Sequence, residues 1–157
     1  MKRKKKIIFI LSAAVLFAGI LLGPDALFKL GNVYAQNSSI SETQLLARAI
    51  NGEARGEPYE GQVAVGAVIL NRTKDSNFPK TIAGVIYQPG AFTAVDDGQI
   101  NVPIDSGSSV VRAAQDALNG WDPTNGCIYY YNPATATSSW IWSRQVVLKI
   151  GKHNFAK

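Results

Sequence analysis

Gln62 to Leu70 reads QVAVGAVIL, and this run constrains the fold more than any other part of the chain. Its apolar residues fall at every helical angle, so an amphipathic surface helix does not accommodate it. By periodicity alone a buried strand stays open. The run extends from Pro58 to Asn71 without a turn signal, and that length favours a central helix buried on every side. Pro58 suits the first position of such a helix.

Helical periodicity also precedes this run. Ser41 with Gln44 reads as a capping box, and Ser39 with Glu42 offers the same pattern. Leu45, Leu46, Ala49 and Ile50 then fall between about 0° and 140° around the axis at roughly 100° per residue. Glu53 falls near 80°, in the middle of that apolar arc. After the central run, Ile82, Val85 and Ile86 predict a short helix, and Ala91 to Gly107 reads as loop with short strands. Ser108 or Ser109 caps a helix ending at Leu118, before Asn119-Gly120. Cys127 to Tyr131 and Val146 to Ile150 read as strands. Helices come first and strands later, which predicts an α+β domain with a small sheet.

Charge narrows the partners. The chain of 157 residues carries 16 Lys+Arg and 11 Asp+Glu, a net of +5. Residues 1–35 hold Lys2, Arg3, Lys4, Lys5, Lys6 and Lys29 against Asp25, so the surplus lies there and the remainder is neutral. A neutral body removes the case for nucleic acid. One His and one Cys do not supply the familiar zinc motifs, and neither a G-x-S-x-G elbow nor a P-loop is present. No metal or other cofactor is expected. Carboxylates are the best remaining catalytic groups.

Lys2 to Lys6 form a basic n-region, followed by the apolar run Ile7 to Leu22 and by Val33-Tyr34-Ala35 before Gln36. Residues 1–35 read as a signal peptide or, alternatively, as an uncleaved membrane anchor. Either places residues 36–157 outside the cytoplasm. Residues 36–40 form a short polar linker, and 41–157 are enough for one compact domain, expected to be a monomer.

A carboxylate on an apolar arc has two readings. Glu53 is either a buried partner of an Arg such as Arg55 or Arg72, or a carboxyl whose pKa a dry site raises so that it donates a proton. The stretch ARAINGEARGEPYEGQVAVGAVILNR, Ala47 to Arg72, resembles the SleB/CwlJ family of cell-wall hydrolases, which includes spore cortex-lytic enzymes. The resemblance continues through Phe78 to Val95, Asp122 to Arg144 and Ile150 to Phe155. It implies a lysozyme-like α+β domain acting on peptidoglycan glycan strands, in the cell wall or at the spore cortex and inner spore membrane. It further implies lytic transglycosylase activity, with Glu53 as the catalytic residue.

Glu57 reads as an N-cap or a second catalytic carboxylate, and Glu60 as a solvated first-turn residue. Asp96 and Asp97 are the candidates for a water-activating base if the reaction is hydrolysis. Among the clustered aromatics, strand alternation puts Tyr129 and Tyr131 on one face and Ile128 and Tyr130 on the other. One face is then core, and the other can stack on sugar rings. Tyr129, Tyr131 and Trp140 are the substrate-binding candidates, with Thr93, Gln99 and Asn132 as hydrogen-bond partners for N-acetyl groups. His153 reads as structural. Two rival functions stay open: a Cys-His cell-wall peptidase using Cys127 and His153, and a non-catalytic glycan-binding domain. The export reading predicts that N-terminal sequencing of secreted protein starts at Gln36; membrane-bound material with an intact start would instead indicate the anchor.

Overall fold

In the computed structural model, residues 40–157 are described; the expected export segment and linker residues 36–39 lie outside them. The first helix, α1 (Glu42–Ala54), starts where Ser41 accepts a hydrogen bond from the Gln44 amide at 3.2 Å. Only half of the expected capping box forms. The Gln44 side chain instead bridges to the backbone of Ile104, donating to its carbonyl at 3.1 Å and accepting from its amide. Leu45, Leu46, Ala49 and Ile50 are all buried, as the apolar arc requires.

The run Gln62 to Leu70 lies within α2 (Tyr59–Lys74), whose residues from Gly61 to Ile69 are all buried. Pro58 stands one position earlier than expected, at the N-cap, and the helix runs past Asn71 to Lys74. Around α2 pack α1, α3 (Ile82–Ile86), α5 (Ser109–Leu118) and two strands of the sheet. Gly66 permits the closest of these contacts. A Cβ there would lie 3.0 Å from Ile50 Cδ1 and 3.2 Å from Ala117 Cβ, so its absence lets three helices meet.

The segment Ala91 to Gly107 corrects the expectation of short strands. It folds as α4 (Thr93–Asp96) and a 3₁₀ turn, Gln99–Asn101. Its hydrogen bonds go to α1 rather than to a sheet: the buried Arg48 donates to the Ile100 carbonyl at 3.1 Å, beside the Gln44–Ile104 bridge. Long-range anchoring, invisible to local periodicity, sets this conformation.

The sheet has a third strand that strand propensity did not indicate. The strands β1 (Tyr129–Tyr131), β2 (Val146–Ile150) and β3 (His153–Ala156) are antiparallel, in the order β1-β3-β2. His153 therefore opens the third strand. Between β2 and β3, Gly151 has φ of +58°, and the Glu57 carboxylate accepts the Lys152 amide at 2.8 Å. Glu57 is thus a turn clamp. It is not the N-cap of α2, a place that Pro58 takes.

The C-terminal end of α2 ties the sheet to the helices. Asn71 donates to the Cys127 carbonyl at 3.1 Å and to Asp122 at 2.9 Å, and Arg72 donates to the Ile128 carbonyl at 2.8 Å. These bonds fix where β1 begins. Val65, Val68 and Ile69 are fully buried in the core. Replacing Ile69 with Ala should therefore cost about 2–5 kcal/mol in denaturant melts; a loss below about 0.5 kcal/mol would contradict a central α2.

Candidate active site

Glu53 stands in the last turn of α1, on the same arc as Leu46 and Ile50, and is half-buried. From across the domain, the Tyr130 hydroxyl on β1 donates to Glu53 Oε2 at 3.1 Å. The bond joins residues far apart in sequence, and it forms because the α2 end places β1 opposite the end of α1.

Burial dominates the electrostatics of this carboxyl and raises its pKa above the ordinary 4.5. The Tyr130 phenol, the Thr93 backbone N–H and the Arg72 guanidinium act in the opposite direction, while Asp97 adds to the rise. Burial also pushes the Tyr130 phenol well above 10, with the Glu53 charge adding to it, so the phenol stays protonated. Arg72 is not the direct ion-pair partner considered from sequence. Its Nε–H goes to Ile128, and its guanidinium lies 5.3 Å from the Phe78 ring centroid and 5.9 Å from that of Phe92. Arg55 reaches the Gln99 side chain at 3.4 Å.

The expected alternation along β1 holds. Tyr130 packs against His153 and Phe155, edge-on to the imidazole at 5.5 Å. Tyr129 and Tyr131 face the other way, each meeting a tryptophan edge-on: Trp140 at 5.3 Å and Trp142 at 5.2 Å. Both tryptophans belong to a 3₁₀ turn, Ser139–Ser143, and are about half exposed, at 49% and 51%. Arg144 lies over Trp140 and Tyr129, 4.9 and 5.0 Å from the two centroids. This is an open aromatic wall of the kind on which sugar rings stack. Tyr131 itself is buried and accepts a hydrogen bond from Asn154 at 3.3 Å.

The polar candidates take different places. Thr93 is near Glu53 through its backbone N–H, with its residue exposed at the start of α4. Gln99 binds both Asp97, at 2.7 Å, and Arg55. Asn132 spends its side-chain oxygen on the Ala134 amide at 2.9 Å, stabilising a turn. Asp96 is exposed, whereas Asp97 is within electrostatic reach of Glu53. Glu60 is exposed in the first turn of α2. Cys127 is fully buried, and burial raises its pKa, the reverse of what a nucleophilic thiol requires. His153 is buried with burial lowering its pKa. Among the described residues no group of three or more His, Cys, Asp or Glu is placed to hold a metal ion, and no helix is long and apolar enough to cross a membrane.

Sequence reasoning assigned Tyr130 to an inward face but not to Glu53. The signal was present in the alternation, since an inward tyrosine needs a partner for its hydroxyl. Arg144 carried no comparable signal; only the fold brings it over the aromatic wall.

The domain thus combines a half-buried carboxyl at a helix end, bonded to Tyr130, with half-exposed tryptophans packed on the opposite face of β1, a combination known from carbohydrate-processing domains. The chain belongs to the Cell Wall Hydrolase family, which matches residues 56–156. It is 56% identical over 126 residues to a spore cortex-lytic enzyme of Bacillus cereus, covering 80% of this chain and 46% of that protein. A spore cortex-lytic enzyme of Bacillus subtilis (strain 168) is 55% identical over 119 residues, 76% of this chain and 38% of the relative. The chain thus spans less than half the length of these curated relatives. The catalytic domain of the germination-specific lytic transglycosylase SleB from Bacillus anthracis superposes with a TM-score of 0.72 at 54% identity, over 76% of this chain and 98% of that one.

The raised pKa of Glu53 has a consequence for stability. A carboxyl that binds its proton more tightly in the folded state stabilises the fold fully below its unfolded pKa, and that contribution is lost as pH rises through the folded value. Glu53→Gln removes this dependence. Melts should show the variant gaining on the parent as pH rises above 4.5 and levelling off beyond the folded pKa. A difference constant across that window would mean that Glu53 is not perturbed.

Proposed function

We propose that this domain cleaves the glycan strands of peptidoglycan as a lytic transglycosylase, at the bond between N-acetylmuramic acid and N-acetylglucosamine. Glu53 is the general acid and then the base. The observation that carries the reading is its half-buried carboxyl, bonded by the Tyr130 hydroxyl at 3.1 Å, with burial raising its pKa above the ordinary value and the Thr93 amide nearby. The relatives named as spore cortex-lytic enzymes and the similarity to a lytic transglycosylase catalytic domain support the same substrate and reaction class. The site of action would be extracytoplasmic, at the spore cortex or cell wall.

In the reaction, protonated Glu53 gives its proton to the glycosidic oxygen as the bond to the anomeric carbon breaks. The sugar ring passes through an oxocarbenium-like state. The resulting carboxylate then takes the proton of the C6 hydroxyl, whose oxygen closes a 1,6-anhydro ring on the anomeric carbon. The leaving sugar keeps the first proton, and Glu53 ends protonated, ready for another cycle. Trp140, Tyr129 and Arg144 offer the stacking surface for neighbouring sugars. Tyr131 would act by backing Trp142 from beneath. Thr93, exposed at the start of α4, would meet an N-acetyl group, whereas Gln99, shared between Asp97 and Arg55, and Asn132 would do so only with the groups those bonds leave unused.

One observation favours a hydrolytic alternative: Asp97 is near enough for its charge to raise the Glu53 pKa. Its two carboxylate oxygens, however, accept the Gln99 amide at 3.0 Å and the Gln99 side chain at 2.7 Å. That engagement leaves it a poorer base for activating water.

Glu53→Gln should lower cleavage of cortex peptidoglycan by at least about 10²-fold, the scale of general acid catalysis, with the fold retained. Glu57→Gln and Glu60→Gln should keep measurable activity. Mass spectrometry of the parent's products should show 1,6-anhydro ends; reducing ends would select the hydrolytic route through Asp97. The rate should fall as pH rises through the Glu53 pKa, above 4.5. Near-normal turnover by Glu53→Gln would overturn the assignment.

A further inference from the structure

The acid has to serve twice, once protonated and once ionised, and the structure supplies one side chain suited to both states. Tyr130 reaches Glu53 Oε2 at 3.1 Å from the opposite wall. Its ring has little freedom, lying against His153 at 5.5 Å and Phe155 at 6.2 Å on the inner face of the sheet. Phe155 is its cross-strand partner in the β1–β3 ladder, and β1 is itself held at Ile128 by Arg72. The hydroxyl therefore stands at a place fixed by the strand pairing and by the end of α2.

We propose that Tyr130 is a positioning residue for Glu53, its phenol holding the carboxyl in one orientation and remaining hydrogen-bonded to the carboxylate after the acid has delivered its proton. The proposal deepens the preceding reading and rests on it for its catalytic meaning. Tyr130 transfers no proton. In the ionised state the hydrogen between the two oxygens is the phenol's own, because burial keeps that group protonated. The Oε2 it engages is then an acceptor oxygen in both states.

The charged and titratable groups around the carboxyl come from each element packed there. Arg72 from α2 stabilises the anion, Asp97 after α4 opposes it, and the Thr93 amide stabilises it. His153 on β3 touches the Tyr130 ring and, with its pKa lowered by burial, is neutral near pH 7. Tyr130 contributes the side-chain hydrogen bond to this set. Removing its hydroxyl leaves burial less opposed, so the Glu53 midpoint has to rise.

The chain has four glutamates, Glu42, Glu53, Glu57 and Glu60, which makes the carboxyl directly observable. Protein with ¹³C at the glutamate side-chain carboxyls is titrated by NMR, and Glu53→Gln identifies the Glu53 resonance. In Tyr130→Phe the Glu53 midpoint should move up by about one pH unit, whereas Tyr129→Phe should leave it in place. In the parent protein, the Tyr130 Cζ resonance should titrate with the Glu53 midpoint, a readout that requires no variant to fold. Kinetically, Tyr130→Phe should lose roughly tenfold in kcat with KM within about twofold, and its alkaline limb should shift upward with the carboxyl. An unmoved or lowered Glu53 midpoint, or a Tyr130 resonance blind to it, overturns the proposal while leaving Glu53 as the acid. An active Glu53→Gln protein would instead overturn the catalytic reading, with the titrations still reporting whether Tyr130 holds the carboxyl.

Discussion

Everything in this domain is arranged around a helix that has almost no solvent face. Residues Gly61 to Ile69 of α2 are all buried, so each neighbouring element must offer it an apolar surface. Gly66 shows how tight that arrangement is, since α1 and α5 close over a position with no side chain. In its last turns α2 becomes polar, and there Asn71 and Arg72 spend their donors on the segment entering β1. Thus the buried helix sets the core, and its polar end sets the sheet.

The active-site geometry follows from that second role. Glu53 is carried by α1 and Tyr130 by β1, two elements that each dock on α2. Their side chains meet at 3.1 Å because both elements pack on the same helix. The competition at Glu53 is then between desolvation, which favours the acid, and the surrounding donors, which favour the anion. Burial dominates. In the proposed reaction Glu53 donates and then accepts a proton, and such opposition suits both states, since either extreme would disable one half of the cycle.

Outside this centre strand alternation sorts the aromatics onto two faces, with exposure concentrated in Trp140 and Trp142. The inner face of β1 and β3 places Tyr130, His153 and Phe155 against the core, and the outer face presents Tyr129 and Tyr131 under Trp140 and Trp142. Glu57, close to Glu53 in sequence, is diverted to the β2–β3 turn, where it binds the Lys152 amide. Nearness along the chain did not bring it to the Glu53 carboxyl's hydrogen-bond partners.

By itself the sequence determined the buried α2, the apolar arc of α1 with Glu53 inside it, a serine cap at Ser108 or Ser109, of which the structure uses Ser108, and the division of β1 into two faces. Each of these depends on local periodicity or on side chains a few residues apart. It did not determine that Ala91 to Gly107 would coil into helical turns, because their anchors, Gln44 and Arg48, lie on α1. Nor did it reveal the strand His153–Ala156, which owes its conformation to pairing on both sides. The Tyr130–Glu53 bond and the placing of Arg144 over Trp140 belong to the tertiary structure for the same reason. Hydrogen bonds and ring contacts between distant residues form only where packing brings their elements together, and periodicity records the face of an element but not what that face will meet.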